Sequence, residues 1–185
     1  GKPGPAYWQN HADYQMEITL DTLAKTITGK AEITYYNQSP DSLSSIWFRI
    51  YPDSYKKGGM RNYPIEPEEV HDGARIDTLV IDGTAYGTND DKVSRIGTNM
   101  GVNLSEKVAP GEQVYITCGW TYPVQNPGRR SGYYGNDSYF IAYFYPQIAV
   151  YDDINGWDFQ LSHLGLQEFY NDVNNYKVRI HVPVN

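Results

Sequence analysis

Tyr14, Met16, Ile18 and Leu20 alternate with Gln15, Glu17, Thr19 and Asp21. A period of two turns one set of side chains toward a core and the other toward water, so this stretch predicts a half-buried β-strand. Ile27, Gly29, Ala31, Ile33 and Tyr35 repeat the pattern against Thr28, Lys30, Glu32, Thr34 and Tyr36. The residues between, Asp21 to Lys25, suit a hairpin connection. Asn37-Gln38-Ser39-Pro40-Asp41 is turn chemistry. Ile46-Trp47-Phe48-Arg49-Ile50, inside 45–51, is apolar on both faces and predicts a central strand. Ile76 to Ile81 runs into Asp82-Gly83, a two-residue hairpin signal. A short strand is expected at Gly101 to Leu104. Ala109-Pro110-Gly111-Glu112 then turns into Val114, Ile116, Cys118 and Trp120, alternating with Tyr115 and Thr117. Tyr176, Val178, Ile180 and Val182, set against Lys177, Arg179 and His181, predict a final strand.

Three stretches break the rhythm. Residues 52–73 hold Pro52, Pro64, Pro67, Gly58 and Gly59, and predict a long excursion with one short helical turn near Glu66 to Val70. Pro123 to Gly135, which contains Arg129-Arg130, and Gln147 to Asn175 are expected to be loops. Between the last two, Ser138 to Tyr145 is densely aromatic and predicts a strand. Its alternation sends Tyr139, Ile141, Tyr143 and Tyr145 one way and Phe140, Ala142 and Phe144 the other. Eight or nine strands, no helix of useful length and no βαβ rhythm give an all-β class: an antiparallel β-sandwich or saddle-shaped sheet with two long loops, 52–73 and 146–175. Loops of that length in a compact domain usually serve function or cover another surface.

Composition narrows this further. At 185 residues the chain fits one domain, able to bury roughly 70% of its unfolded surface without a disulfide or structural metal. Residues 1–6 read as a tag remnant and linker, and 7–185 as a single β domain; a leader can have been cut away ahead of them. Fifteen basic against 22 acidic side chains, net −7, argue against a nucleic-acid surface. No apolar run approaches the ~18 residues needed to span a bilayer. One cysteine, Cys118, excludes an internal disulfide framework and a Cys-based zinc cluster. Eighteen of the residues are Tyr, a side chain suited to half-buried pleated surfaces, and such a composition with few lysines points to an extracytoplasmic setting.

Candidate chemistry is sparse. His11, His71, His163 and His181 lie too far apart for two imidazoles on one helical face to share a metal, so isolated histidines are expected. Asp152-Asp153-Ile154-Asn155-Gly156-Trp157-Asp158 resembles half a calcium loop. Tyr151 falls at the first ligand position, however, and Ser162 at the closing one, so an Asx-rich turn is the simpler expectation. Glu168, Asp158 and Asp153 have the chemistry of glycosidase carboxylates, but solvated surface positions explain them as well. Cys118 is expected to face inward as a small hydrophobe. The aromatic segment 139–145 stands out, because rings on both faces of one strand need a second layer, a neighbouring domain or a ligand to cover them.

Several landmarks together resemble a known family. Tyr7-Trp8-Gln9 followed by Asp13-Tyr14 and an alternating strand looks like the start of the N-terminal domain of M1-family (gluzincin) zinc aminopeptidases, in the form common in Bacteroidetes-like bacteria. Ala109-Pro110-Gly111-Glu112, the block from Phe144-Tyr145-Pro146-Gln147 through Tyr151-Asp152 to Gly156-Trp157, and Glu168-Phe169-Tyr170-Asn171-Asp172-Val173 with Tyr176 to Pro183 follow in the family's order.

That resemblance implies a saddle-like β domain packed on a thermolysin-like catalytic domain that would follow it. The family's His-Glu-x-x-His zinc helix and Gly-x-Met-Glu-Asn loop are not in these residues. The chain is therefore expected to be non-catalytic and to hold no cofactor itself, the zinc belonging to the catalytic domain of a parent peptidase. Its expected partners are that domain and the parent's peptide substrate, and its expected location is periplasmic, secreted or anchored to an outer membrane. The family places a Gln or Glu at the substrate's amino end; by position against Phe144-Tyr145-Pro146 that residue is Tyr143 here. Tyr143 and Tyr145 are thus the candidate substrate-binding residues, and a phenol at 143 departs from ordinary aminopeptidase specificity. The alternative from another class is a secreted carbohydrate-binding β-sandwich, motivated by the surplus of aromatic rings.

Overall fold

The structure, a computed structural model, describes residues 4, 6–126, 131–135, 138–161 and 169–183. Fourteen strands follow in order: β1 (His11–Asp21), β2 (Thr26–Tyr36), β3 (Leu43–Arg49), β4 (Arg75–Ile81), β5 (Thr84–Ala85), β6 (Val93–Ile96), β7 (Asn99–Val108), β8 (Gln113–Pro123), β9 (Gly132–Tyr134), β10 (Ser138–Phe140), β11 (Gln147–Ile148), β12 (Tyr151–Asp152), β13 (Gly156–Trp157) and β14 (Asn175–His181). Among the described residues they form a six-stranded sheet ordered β14-β1-β2-β8-β4-β5, a four-stranded sheet ordered β11-β3-β7-β6, and two small ribbons, β9–β10 and β12–β13. The all-β class expected from the periodicity holds.

The large sheet is built where the alternation is cleanest. Tyr14, Met16 and Ile18 of β1, Ile27, Ala31, Ile33 and Tyr35 of β2, and Val114, Ile116, Cys118, Trp120 and Tyr122 of β8 are all buried, and the residues between them point outward. They meet Ile46 and Phe48 of β3 and Met100 and Val102 of β7 in one core. Each such side chain contributes about 1.5–3 kcal/mol by leaving water. A buried polar link joins the layers at this point: the amide of Ile148 donates to the Tyr14 hydroxyl at 3.0 Å. Burial raises the Tyr14 phenol far above its ordinary range, so it stays a neutral hydroxyl.

Turn chemistry sets the registers. Asp21 Oδ1 accepts from the amides of Leu23 and Ala24, closing the β1–β2 connection. Asp82 and Gly83 take φ of 45° and 77°, the left-handed pair that a two-residue hairpin needs. Asn37, fully buried, donates to the carbonyls of Asp41 and Val108 and accepts from the Ser39 hydroxyl at 2.6 Å, tying the β2–β3 turn to the end of β7. In the 52–73 excursion the expected helical turn is present at Pro67–Glu69, and a second lies at Tyr51–Tyr55. Buried Asp53 anchors this segment. Its carboxylate accepts from the amide of Ala74 at 2.8 Å and from Arg95 at 2.9 Å; burial raises its pKa while Arg95 opposes the rise.

Several expectations need correction. β14 runs parallel to β1, not antiparallel. It is reached through a long connection, which can return the chain in either sense, whereas a tight hairpin cannot. β7 is ten residues long because the polar Ser105, Glu106 and Lys107 extend it over the exposed end of the sheet. The 123–135 stretch contains β9, and 147–175 contains β11 and the β12–β13 ribbon. The aromatic strand stops at Phe140. Tyr143 adopts φ of 55°, and Pro146 has no amide to donate, so the ladder cannot continue and the two-sided alternation of 139–145 does not form. Arg129 and Arg130 lie outside the described residues.

Two close approaches test the packing. Trp120 lies opposite Gly29 across the β2–β8 pair, and a Cβ at Gly29 would sit 2.2 Å from the indole. Gly101 accommodates Trp47 in the same way. Gly29→Ala should therefore lower stability by about 1–3 kcal/mol, read as an earlier urea midpoint, and Trp120→Leu in the same chain should recover part of the loss. An unchanged midpoint for Gly29→Ala contradicts this packing.

Candidate functional site

The sequence directs attention to 139–145, and the structure distributes these rings over distinct surroundings. Tyr139 is pinned to the β1–β2 turn: its hydroxyl donates to the Thr22 carbonyl at 3.2 Å and accepts from Lys25 Nζ at 2.6 Å. Phe140 is 57% exposed. Tyr143 is half-buried, stacked on Phe169 with ring centres 4.3 Å apart and tilted against Tyr51 at 5.4 Å. Its hydroxyl makes no hydrogen bond among the described residues. Tyr51 is more enclosed, and burial pushes its phenol up to about 12 against the pull of nearby Arg49.

Tyr145 belongs to a different group. Its hydroxyl donates to that of Tyr176 at 3.1 Å, and its ring meets Tyr14 edge-on at 5.7 Å while Tyr14 stacks on Tyr176 at 5.0 Å. Burial, with Tyr176 adding to it, raises the Tyr145 phenol well above its ordinary value. The two candidate residues are therefore not equivalent: Tyr145 spends its hydroxyl inside a three-tyrosine cluster, and Tyr143 keeps its own available. Neither belongs to a flat open row of rings of the kind that stacks on sugars.

The uncovered apolar surface lies beside them, on β14. Tyr176, Val178 and Ile180 stand next to buried Tyr14, Met16 and Ile18 in the parallel register, so they extend the core-facing rows of the sheet by one strand. Tyr145 reaches Tyr176, but among the described residues no second layer covers the strand beyond it: Ile180 is 60% exposed and Val182 62%. An open groove of about 460 Å³ runs between this flank and the aromatic segment, lined by Ile18, Leu20, Ile141, Phe144, Ile180 and Val182. The alternation in 176–182 is visible in the sequence; that its apolar face would be left bare is not.

The acidic loop closes on itself. Asp152 Oδ1 accepts from the amides of Ile154 and Asn155, and Oδ2 from the Tyr170 hydroxyl at 3.1 Å. These bonds lower the Asp152 pKa against the opposing effect of its partial burial. Asp158 pairs with Arg49, which also bonds Asn99 Oδ1 at 2.6 Å and the Gln160 carbonyl, so one buried guanidinium fixes the segment after β13 to the second sheet. The Asx-turn expectation holds for Asp152. Glu168, Ser162 and His163 lie outside the described residues. A second cleft, of about 330 Å³, lies between Trp8, Tyr7, Tyr151, Tyr170, Asp152 and Asp172. Burial, with nearby Asp152 adding to it, pushes Asp172 up to about 6. The sequence does not bring these residues together, because 7–8, 151–152 and 170–172 meet only through the fold.

The described residues do not fit a zinc site. His11 stacks on Tyr36 at 4.4 Å, and His181 bonds Glu17 at 2.8 Å. His71 accepts the Gly73 amide at Nδ1 over 2.9 Å, which leaves its proton on Nε2. Burial pushes the Cys118 thiol up to about 12. No three His, Cys, Asp or Glu side chains among the described residues converge as metal ligands. No described helix is long and apolar enough to cross a membrane.

No protein-family model matches the sequence, and no curated protein matches it. Among solved structures the chain is similar to the M1 zinc metallopeptidase of Deinococcus radiodurans, with 14% identity over 95% of this chain and 32% of that one, at a TM-score of 0.49. A point mutant of the same enzyme bound to a Tyr-Ser-Ala substrate is similar over the same shares, with 14% identity and a TM-score of 0.47. A mutant two-domain M1 zinc metallopeptidase bound to L-tryptophan is similar over 98% of this chain and 35% of that one, with 14% identity and a TM-score of 0.49. The chain spans about a third of the length of these proteins.

Two outcomes follow from the polar interior. Burial pushes His71 down to about 4 from its ordinary 6.5, with Asp72 opposing. Between those values the unfolded chain binds the proton that the folded chain refuses, so the His71 contribution is complete above pH 6.5 and is lost as pH falls toward 4. Asp172, raised by folding, acts in the opposite sense, favouring the folded state as pH falls through 6. The difference between wild type and His71→Asn isolates the first effect. Urea titrations at stepped pH should show wild type losing stability relative to the variant below pH 6.5; parallel curves contradict it. Arg49→Met should cost about 3 kcal/mol by leaving Asp158 buried without its cation, and should expose 158–160 to proteolysis. A midpoint within error of wild type contradicts that pairing.

Proposed function

We propose that residues 7–185 are the non-catalytic N-terminal β domain of an M1-type zinc metallopeptidase, exported to the periplasm or cell exterior. In this reading the domain packs on a catalytic domain through the β14 flank and helps to bind the substrate's N-terminal residue. One observation carries it: an apolar sheet face that continues past its own covering layer, beside a groove walled by the aromatic segment. A flank of that kind needs a neighbour to exclude water. The order of the sequence landmarks, with the Phe144-Tyr145-Pro146 block feeding directly into β11, supports the same assignment.

Tyr143 is the residue offered to substrate. Its stacking on Phe169 and Tyr51 holds the ring, and its free hydroxyl can donate to or accept from a peptide terminus. Tyr145 supports it from the neighbouring cluster by fixing the segment against Tyr176. The zinc and the hydrolytic chemistry belong to the parent's catalytic domain.

The coding sequence past Asn185 tests the assignment. A His-Glu-x-x-His motif is expected there, with aminoacyl-arylamide hydrolysis by the longer protein and none by residues 1–185. A stop codon directly after Asn185, or turnover by 1–185 alone, contradicts it. In the longer protein Tyr143→Ala should reduce kcat/KM by roughly tenfold, about 1.4 kcal/mol, and Tyr139→Ala much less; equal effects remove Tyr143 from the site.

A further inference from the structure

The outer backbone edge of β14 is open. Among the described residues β14 ends its sheet, pairs with β1 on one side only, and is exposed along all seven positions. A strand of this length with an apolar face is a template for another strand unless charge or shape forbids it. Its two faces say what that strand must be.

On the core-facing side, Tyr176, Val178 and Ile180 continue three buried rows, and Ile180 borders the 460 Å³ groove. An added strand would lay apolar side chains over them at every second position. On the outer side, the register sets Arg179 beside Glu17 and Glu17 beside Lys30, a row whose sign alternates strand by strand. The adjacent row runs Lys177, Gln15, Glu32. In both rows the outermost group is a cation, and neither Lys177 nor Arg179 has an ion-pair partner within 4 Å among the described residues. This cationic rim stands on a chain of net charge −7. A second copy pairing through its own β14 would set these cations against each other, and directly opposed like charges are unfavourable.

We infer that the β14 edge accepts one further β-strand in which apolar residues alternate with Asp or Glu, added by backbone pairing with the acidic side chains over Lys177 and Arg179. The strand comes from the domain placed against this flank above; the inference rests on that reading for the strand's source and not for its chemistry.

Synthetic peptides test the chemistry on residues 1–185 at low salt, read by amide chemical shifts. An alternating Glu/Val heptapeptide should shift the amides of 176–182 and bind about tenfold more tightly than its Lys/Val counterpart. Lys177→Glu with Arg179→Glu, both on exposed positions, should invert the preference. N-methylating the acidic peptide along one edge should abolish binding. Equal binding of acidic and basic peptides, an undisturbed β14 at millimolar acidic peptide, or full binding of the N-methylated form each overturns the inference. A zinc motif downstream of Asn185 without peptide preference sinks the strand and spares the domain assignment; preference without the motif does the reverse.

Discussion

The six-stranded sheet carries its apolar face one strand further than the second layer reaches. Through β1, β2 and β8 the inward residues are sealed by β3, β7 and the segment around Ile148. At β14 the same rows continue as Tyr176, Val178 and Ile180; Tyr145 reaches Tyr176, and among the described residues the cover ends there. Leaving those side chains in water forgoes about 25 cal/mol for each square ångström of apolar surface that a neighbour would cover. The parallel pairing of β14 with β1 matters here, because it fixes which face of the last strand is apolar and where the groove beside it opens.

The aromatic segment next to that flank divides its labour. Tyr145, Tyr14 and Tyr176 form a cluster joined by stacking and by one hydroxyl-to-hydroxyl bond, and Tyr14 also receives the amide of Ile148 from the other sheet. The cluster sits at the junction of the layers and the last strand. Tyr143 follows a backbone that leaves the ladder, and its ring is held by Phe169 and Tyr51 while its hydroxyl has no hydrogen-bond partner among the described residues. A positive φ at a bulky residue is sterically unfavourable. The turn it makes takes Tyr143 out of any strand alternation and sets it apart from Tyr145.

Much of this was legible in the sequence where one side of a strand is wet. β1, β2 and β8 announce themselves by alternation, β4 by the Asp82-Gly83 hairpin signal that ends it, and the turn at 109–112 by its turn residues. Legibility failed where tertiary context decides. The rings of 139–145 suggest a two-faced strand by periodicity, but the conformation of Tyr143 and the missing amide of Pro146 end it at Phe140. The far end of β7 was hidden by Ser105, Glu106 and Lys107, whose polarity suits an exposed strand as well as a loop. At β14 the pattern found the strand but not its direction, because direction depends on the path of a long connection. The candidates Tyr143 and Tyr145 came from the resemblance alone. The cleft joining Trp8, Tyr151 and Asp172 was not legible, since its members are far apart in the chain and none carries a local motif.

The bare flank is the claim on which the functional proposal turns, and amide hydrogen exchange addresses it most directly. In residues 1–185 alone, the β14 amides that point away from β1 should exchange nearly as fast as unstructured amides, while those of β2 and β8 stay protected. In the longer protein the same β14 amides should become protected as the neighbouring domain covers the edge. Protection of that edge already complete in residues 1–185, and unchanged in the longer protein, would mean that the flank is sealed within the domain and that nothing docks there.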